Sequence, residues 1–500
     1  MMGIDPGTPG GALVALLPEV LLTAWALVVL LFVAWRHGSA HDSRLAGALS
    51  MAGYVLALLA TGWLAWQGAR AEGLPQMIAL DGFRYASDAL VLAIGLGVAI
   101  LSVRWLERQG ILAPEYYVLL MLATVGMMLL AGAADMITLF LGLEVMSIAV
   151  YVLAGYDRTR RASAEAALKY FLIGAFASGF LLYGIALTYG ATGQFNFALI
   201  GAQLAAGEAS VMARAGMGLL LVGFAFKVAA VPFHAWAPDV YEGAPTPVTA
   251  FMASGVKAAA FLALARLLAE AFPSFVELWR PVLWWLAIAT MLIGNLVALA
   301  QQSMKRMLAY SAVAHAGYLL LALWSHSDAG TAAVLVYLLA YSITTVAAFG
   351  ILASIERAGA RTVLLADLEG LFSVRPFASL GMAVCMLSLL GFPGTFGFIG
   401  KWYLIAAPLA EGEVILPVVA MIASGISIGY YLPVVLAMTL KPTRTRQAHQ
   451  TIRFPGPAKL AVAICVAAIL VLGFWPRTVL DFATQEAVQL RRVAIPILTR

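Results

Sequence analysis

Charge is what this 500-residue chain has least of: Asp, Glu, Lys and Arg together make up 11% of it, against ~25% in soluble globular domains. That scarcity excludes a soluble enzyme or binding module. Cysteine is nearly absent too, and Cys385 and Cys465 both fall inside apolar runs, where they read as buried, inert thiols. There is no CxxC pair, no cysteine cluster of the kind that holds iron and sulfur, and no GxGxxG between a strand and a helix. The six histidines (37, 41, 234, 315, 326 and 449) show no metal-ligand spacing. Redox chemistry therefore has no foothold here; if electrons matter to this protein, they travel on another chain. The opening "MMGIDPGTPG" lacks the basic start of a signal peptide, so Leu13–Trp35 reads as a retained first helix.

What the chain has instead is oil. Hydrophobic residues make up 63% and mean hydropathy is +0.94. Apolar stretches of ~20 residues, each able to cross ~30 Å of hydrocarbon as a helix, recur from end to end. About fourteen fit, leaving no room for a soluble domain of useful size. The expected fold is all-α, a polytopic membrane protein of about 14 transmembrane helices. Net charge is +5, and its placement says more than its size. With the N-terminus outside, the loops facing the cytoplasm would hold seventeen Lys and Arg, among them Arg158, Arg160, Arg161, Lys305, Arg306, Arg357, Arg361, Arg444, Arg446 and Arg453. The opposite loops hold four (Arg70, Arg84, Arg214, Arg280), and four more (Arg477, Arg491, Arg492, Arg500) follow the last helix. The positive-inside bias puts both termini outside. No nucleic-acid face is needed to explain the basic balance.

Three helices fill an N-terminal segment, 1–110. Two blocks of five follow, 111–275 and 276–440, and a helix and tail close the chain at 441–500. In each block the fourth helix is interrupted, by Pro232 in a stretch spanning 211–241 and by Gly391-Phe392-Pro393-Gly394 in a stretch spanning 376–409. Five crossings are odd in number, so the second block starts from the opposite side. Two inverted five-helix repeats, each with a broken helix, are a pointer to a transport site. A break frees backbone groups that need polar partners or water.

Five cations fall inside the runs: Lys169, Lys227, Lys257, Arg266 and Lys401. A charge at the centre of a membrane helix costs ~2.5–3.5 kcal/mol on insertion scales, and such residues are functional by default. Lysine, unlike arginine, changes its proton affinity readily on burial. Glu144, in "ITLFLGLEVMSIAVYVL", lies about eight residues into its helix, ~12 Å deep. It reads as a proton-binding carboxylate coupled to Lys227, one turn before Pro232, or else as half of a structural ion pair. His234, just past the break, can pass protons near neutral pH or simply pack. Lys257, in "FMASGVKAAAFLAL", has no acid within a turn and small neighbours around it, so it stands out most. Lys401 follows the second break as Lys227 precedes the first. His315, in "YSAVAHAGYLL", lies between them in sequence and could bridge or pack. Lys169 could act or snorkel towards the cytoplasm. Arg266 has Glu270 at i+4 and reads as a local ion pair.

"KVAAVPFHAWAPDVYEGAPTPVTAF", "QQSMKRMLAYSAVAHAGY" and "GFPGTFGFIGKWYL" resemble motifs of the antiporter-like membrane subunits of respiratory complex I, the proton-pumping NADH:quinone oxidoreductase. The likeness covers most of the chain and is densest from Glu144 to Lys401. Subunits L and M of that family usually carry a Trp beside the glutamate, absent from "LGLEVMSIAVYVLAGY", and subunit M typically has Glu where Lys401 stands. No long lateral helix is expected after residue 475, unlike subunit L. One departure is Gly394, where the third antiporter-like branch often has a bulkier residue.

The resemblance implies that Glu144 and Lys227 form a charge pair modulating an input site, that Lys257 and His315 lie midway on a polar axis, and that Lys401 ends it. His234 and Lys169 match positions of lesser weight. It further implies no cofactor on this chain, with FMN, iron–sulfur clusters and quinone on other subunits. The implied partners are subunit M, the side formed by the small subunits K and J, and the lipid bilayer, in a bacterial inner membrane. The expected activity is proton transfer from cytoplasm to periplasm, driven by quinone reduction elsewhere. An independent sodium/proton antiporter subunit, a ferredoxin-fed photosynthetic relative and a passive spacer of the membrane arm are the alternative readings.

Overall fold

The computed structural model describes residues 3–5, 8–36, 40–68, 70–71, 77–111, 114–207, 210–356, 362–442 and 456–494. Arg357, Arg361, Arg444, Arg446, Arg453, Arg500, His37 and His449 lie outside the described residues, as do the side chains of His41, Arg491 and Arg492. In a membrane the backbone must satisfy itself, which a helix does within its own length. The N-terminal segment is α1 (Pro9–Ala15), α2 (Leu17–Trp35), α3 (Ala40–Gln67) and α4 (Gly82–Gln109). The first block is α5 (Glu115–Ala131), α6 (Met136–Ala154), α7 (Arg161–Thr192), a short α8 (Phe197–Ala206), the interrupted pair α9 (Val211–Lys227) and α10 (Trp236–Gly243), then α11 (Thr246–Phe251) and α12 (Lys257–Glu270). A single π turn, Met252–Val256, joins α11 to α12.

The second block is α13 (Val276–Ala298), α14 (Met304–Trp324), α15 (Asp328–Ile355), the interrupted pair α16 (Pro376–Leu390) and α17 (Phe396–Ala410), and α18 (Ile415–Leu440). Then come α19 (Gly456–Phe474) and α20 (Arg477–Ala494). Eleven stretches among the described residues are long and apolar enough to cross a membrane. With α5 and the two interrupted pairs they make the fourteen crossings and the two five-helix blocks expected.

Helix starts are set by side-chain caps: Asp135 accepts from the Thr138 amide at 2.6 Å, and Ser210, Ser303, Ser327 and Thr395 cap in the same way. The windows of α11–α12, α14 and α15 are almost wholly buried, whereas α2, α7, α18 and α19 turn most of their surface outward. Lys257, Arg266, Glu270, Lys305 and His315 are among the buried ionisable groups on these inner helices. Residues Gly3–Ile4 and helix α20 lie on one side of the bundle, where Gly3–Ile4 pairs with Arg70–Ala71, Ile78 bridges Ala133 and Asp135 bridges Asn196. We call this the terminal side; the bridge between Ser303 and Leu364 lies on the far side.

Three features differ from the sequence reading. Residues 477–494, read as a tail, form α20, whose Ala483, Ala487 and Leu490 are buried while Arg477 and Asp481 are exposed. Its polar and apolar residues alternate at helical spacing, so no apolar run marks it. It is shorter than a membrane-length lateral helix and packs across the ends of α4, α12 and α15. The short α8, between α7 and α9, is likewise too small to show as a run. Arg84 and Lys305, counted among loop cations, sit inside α4 and α14 and are buried. Each lies in the first turn of its helix, where a boundary read from hydropathy shifts by a few residues.

Candidate functional site

Lys227, Lys257, His315 and Lys401 are each only 2–6% exposed, in surroundings otherwise apolar. Lys227 is the last residue of α9. Past it, Ala229 adopts φ 58°, the region a Cβ disfavours. The Phe226 carbonyl accepts from Trp236 Nε1 at 3.2 Å, and the Val231 amide donates to Thr290 Oγ1 at 3.0 Å. Lys227 itself donates to Ser147 Oγ at 2.6 Å and lies over the rings of Tyr151 (5.5 Å) and Tyr170 (5.8 Å). The expected ion pair with Glu144 is not closed: among the described residues Lys227 has no carboxylate within salt-bridge distance. Glu144 stands one turn before Ser147 on α6, so the same face offers the amine a neutral hydroxyl or a carboxylate. Glu144 Oε1 is buried with no hydrogen-bond partner among the described residues.

Lys257 follows the π turn directly, a feature that frequently marks functional sites. Its amine donates to the Ala312 carbonyl of α14 and lies 5.9 Å from the Tyr341 ring. One turn along α14, His315 packs against Tyr341 with ring centres 5.1 Å apart. Its Nδ1 pairs with the Tyr337 hydroxyl and its Nε2 with Tyr431 Oη at 3.0 Å. Tyr431 Oη also pairs with Ser311 Oγ. Tyr318, in tilted contact with His315 at 5.7 Å, lies 4.8 Å beneath the Lys401 amine. Lys401 donates to the Leu390 carbonyl at 2.9 Å and to Ser424 Oγ at 3.1 Å. Leu390 is the last residue of α16, so the amine caps the broken helix directly. Gly391 and Gly394 take φ 85° and 87°, which explains the glycine at 394. A Cβ at Gly391 would meet Lys401 Cδ at 2.8 Å.

The structure thus lines up Lys257, His315 and Lys401 through α12, α14 and α17, and places Glu144 and Lys227 on α6 and α9. The other sequence candidates lie elsewhere. His234 sits in the break, between the exposed Pro232 and Ala235, and among the described residues no hydrogen bond joins it to a buried lysine. Lys169 is 41% exposed and pairs with Glu165 and Asp239, both at 2.8 Å. Asp239 also holds Arg306 at 2.8 Å, and with Arg160 and Glu242 these side chains line a far-side vestibule of about 290 Å³. Arg266 pairs with Glu270, as expected, and additionally with Asp81. A larger, mainly apolar cavity of about 640 Å³ between α3, α4, α15, α19 and α20 is lined by none of the buried lysines.

Sequence reading missed Lys305, which is buried behind the vestibule wall and donates to the Ala244 carbonyl at 2.6 Å. Its neighbour Arg306 made the pair look like a loop doublet. The signal was the helical phase: adjacent residues point ~100° apart, so one can face water and the other the core. The tyrosines and Ser147 were missed because hydroxyl residues are unremarkable in an apolar helix.

Fourteen crossings, two interrupted helices and lysines buried beside the breaks define an antiporter-like membrane subunit. The family model described as "NADH:quinone oxidoreductase/Mrp antiporter, TM" matches residues 133–427. NADH-quinone oxidoreductase subunit N of Gemmatimonas aurantiaca is 43% identical over 495 residues, covering 96% of this chain and 94% of its own length. Subunit N 2 of Roseiflexus castenholzii is 44% identical over 473 residues, covering 92% and 93%. The chain belongs to the NADH-quinone oxidoreductase subunit N family. A chain of respiratory complex I from Thermus thermophilus, solved with bound aureothin, superposes with a TM-score of 0.79 at 36% identity, over 93% of this chain and 99% of that one. A chain of the Mrp complex from a Dietzia species shares the fold, with a TM-score of 0.84 at 23% identity over 97% of this chain and 99% of that one.

Proposed function

We propose that this chain carries protons from the cytoplasm to the periplasm as a membrane-arm subunit of NADH:quinone oxidoreductase. The observation that carries this reading is the row of buried groups Lys257, His315 and Lys401, linked through the Ala312 carbonyl and the rings and hydroxyls of Tyr341, Tyr337, Tyr431 and Tyr318. A buried lysine keeps or loses its proton according to the charges that arrive beside it. Two unit charges ~6 Å apart at an effective dielectric of ~20 interact by about 3 kcal/mol, enough for a hundredfold change in proton affinity. Moving the Lys227 amine between Ser147 and Glu144 switches such a charge on and off.

With the amine on Ser147, positive charge is uncompensated and pushes the proton held by Lys257 onward. With the amine on Glu144, Lys257 reloads. The imidazole of His315, bonded at both nitrogens to tyrosine hydroxyls, relays towards Lys401. A void of about 10 Å³ lined by Ser311, Tyr341 and Thr345 has room for about one water beside this route. The far side, with its charged vestibule, faces the cytoplasm in this reading, and both termini face the periplasm. FMN, the iron–sulfur clusters and quinone reside on other subunits. The flanking partners are subunit M on one side and the small subunits K and J on the other.

The experiment is Lys257→Met in the assembled complex. NADH-driven acidification of inverted membrane vesicles is expected to fall at least tenfold, with the complex intact by native electrophoresis. Normal acidification in an intact complex would make the chain a passive spacer instead.

A further inference from the structure

At the terminal side two guanidinium groups are buried among carboxylates, and the two clusters differ. Arg266 of α12 meets Asp81 through both terminal nitrogens at 2.8 Å and Glu270 at 2.8 Å. Asp81 also accepts from the Arg84 amide at 2.8 Å. Burial pushes the Asp81 carboxyl up, but Arg266 and that amide outweigh it and hold it below the usual carboxylate range. No buried oxygen of Asp81 or Glu270 is unpaired among the described residues. This cluster is closed.

Its neighbour is not. Arg84 of α4, fully buried, donates to Glu19 Oε1 of α2 at 2.6 Å and to the Ala79 carbonyl at 3.0 Å. Asp88, one turn along α4 and also fully buried, lies 3.2 Å from Arg84 Nε without the geometry of a hydrogen bond. Among the described residues neither Asp88 oxygen has a hydrogen-bond partner, and nor does Glu19 Oε2. Two carboxylates against one guanidinium leave a net negative charge and three orphaned acceptors, which a buried site does not tolerate. A carboxyl that takes up a proton becomes neutral and gains a donor. A single proton therefore removes the excess charge and, as one new donor, engages up to two of the three orphaned oxygens.

We propose that Asp88, facing Glu19 across Arg84, holds a proton, forming a buried proton-binding site apart from the lysine chain. The titratable and charged groups facing it are Glu19 from α2, Arg84 and Tyr85 from α4 with Asp81 just before it, Arg266 and Glu270 from α12, and Glu486 from α20, whose carboxylate abuts Gly82. Among the described residues the buried carboxylates of Glu19 and Asp88 face the single guanidinium of Arg84. The site joins the N-terminal segment to the first block. Its proton contributes stability at lower pH, and that contribution is lost as the pH rises through the value at which the proton leaves.

The test heats the purified, assembled complex across a pH series and records the temperature at which this chain is released. For the natural chain the release temperature is expected to fall on the alkaline side. Asp88→Asn keeps the shape of the protonated acid, so it should flatten that alkaline limb without lowering release at neutral pH. Glu19→Gln should do the same, and serves if the first variant does not assemble. Asp81→Asn breaks a fully engaged carboxylate, so release should drop by several degrees at neutral pH with the alkaline limb kept. NADH-driven pumping by Asp88→Asn at neutral pH should stay within twofold of the natural chain, because the site lies off the lysine chain. An alkaline limb unchanged in both Asp88→Asn and Glu19→Gln, or a neutral-pH loss as large as that of Asp81→Asn, overturns the proposal.

Discussion

At the break between α16 and α17, the amine of Lys401 itself takes the freed Leu390 carbonyl. At the break between α9 and α10, the freed groups go to Trp236 and Thr290, and Lys227 is left to bond Ser147 on another helix. Each break is flanked by a buried lysine, yet one lysine is part of the backbone repair and the other is not. The difference teaches which amine can move. Displacing Lys401 takes one of two donors from the Leu390 carbonyl, which keeps Ser424 Oγ at 3.1 Å, at a cost of about 1–1.5 kcal/mol. Displacing Lys227 strands only a serine hydroxyl that still has the Leu143 carbonyl. The inverted repeat thus yields one anchored site and one switchable site from the same sequence device.

That contrast has measurable edges. Lys401→Met should give the largest combined effect: at least a tenfold fall in NADH-driven pumping and about 1–1.5 kcal/mol of lost stability from the missing hydrogen bond to the Leu390 carbonyl, read by heat release of the chain. Lys227→Met should lower pumping as much with under about 1 kcal/mol of lost stability; equal losses in the two variants would erase the distinction. Gly394→Ala, forced to φ 87°, should cost about 1–2 kcal/mol. Its counterpart Gly218→Ala, in α9 with open space around it, should gain about 0.5–1 kcal/mol.

Thr290→Val leaves the Val231 amide without its acceptor and should cost about 1 kcal/mol, with pumping kept if the first break is held by the scaffold. Ser147→Ala should have the smallest effect. With no hydroxyl to hold it, the amine rests on Glu144 and pumping falls roughly threefold, about 0.6 kcal/mol in the barrier. A variant that pumps normally would show that the open position on Ser147 plays no part.

Much of this was legible beforehand because a lysine in an apolar run is conspicuous: it violates the rule that governs its neighbours. The fourteen crossings, the paired breaks and Lys257 all announce themselves in that way. What stayed hidden has the opposite character. Tyr337, Tyr431 and Ser147 are ordinary residues for a membrane helix, and only the packing of α14 against α15 and α18 brings hydroxyls to both nitrogens of His315. The open state of Glu144 and Lys227 is a matter of rotamers, which no spacing encodes. Glu19, Arg84 and Asp88 come from two helices and lie near helix ends, where charges normally reach water, so their burial shows only once α2 and α4 are packed together.

The wide turn at Met252–Val256 bears on how the middle lysine is aimed. One extra residue in a turn rotates everything beyond it by ~100° about the helix axis. The stretch before it is bound to its own surroundings through Thr246 and Glu356, and the stretch after it through Arg266 and Asp81. Each end is thus free to choose its own angular setting, and Lys257, the first residue past the phase change, points where the second end dictates. Deleting a residue from that turn would keep both ends seated while taking away the slack between them.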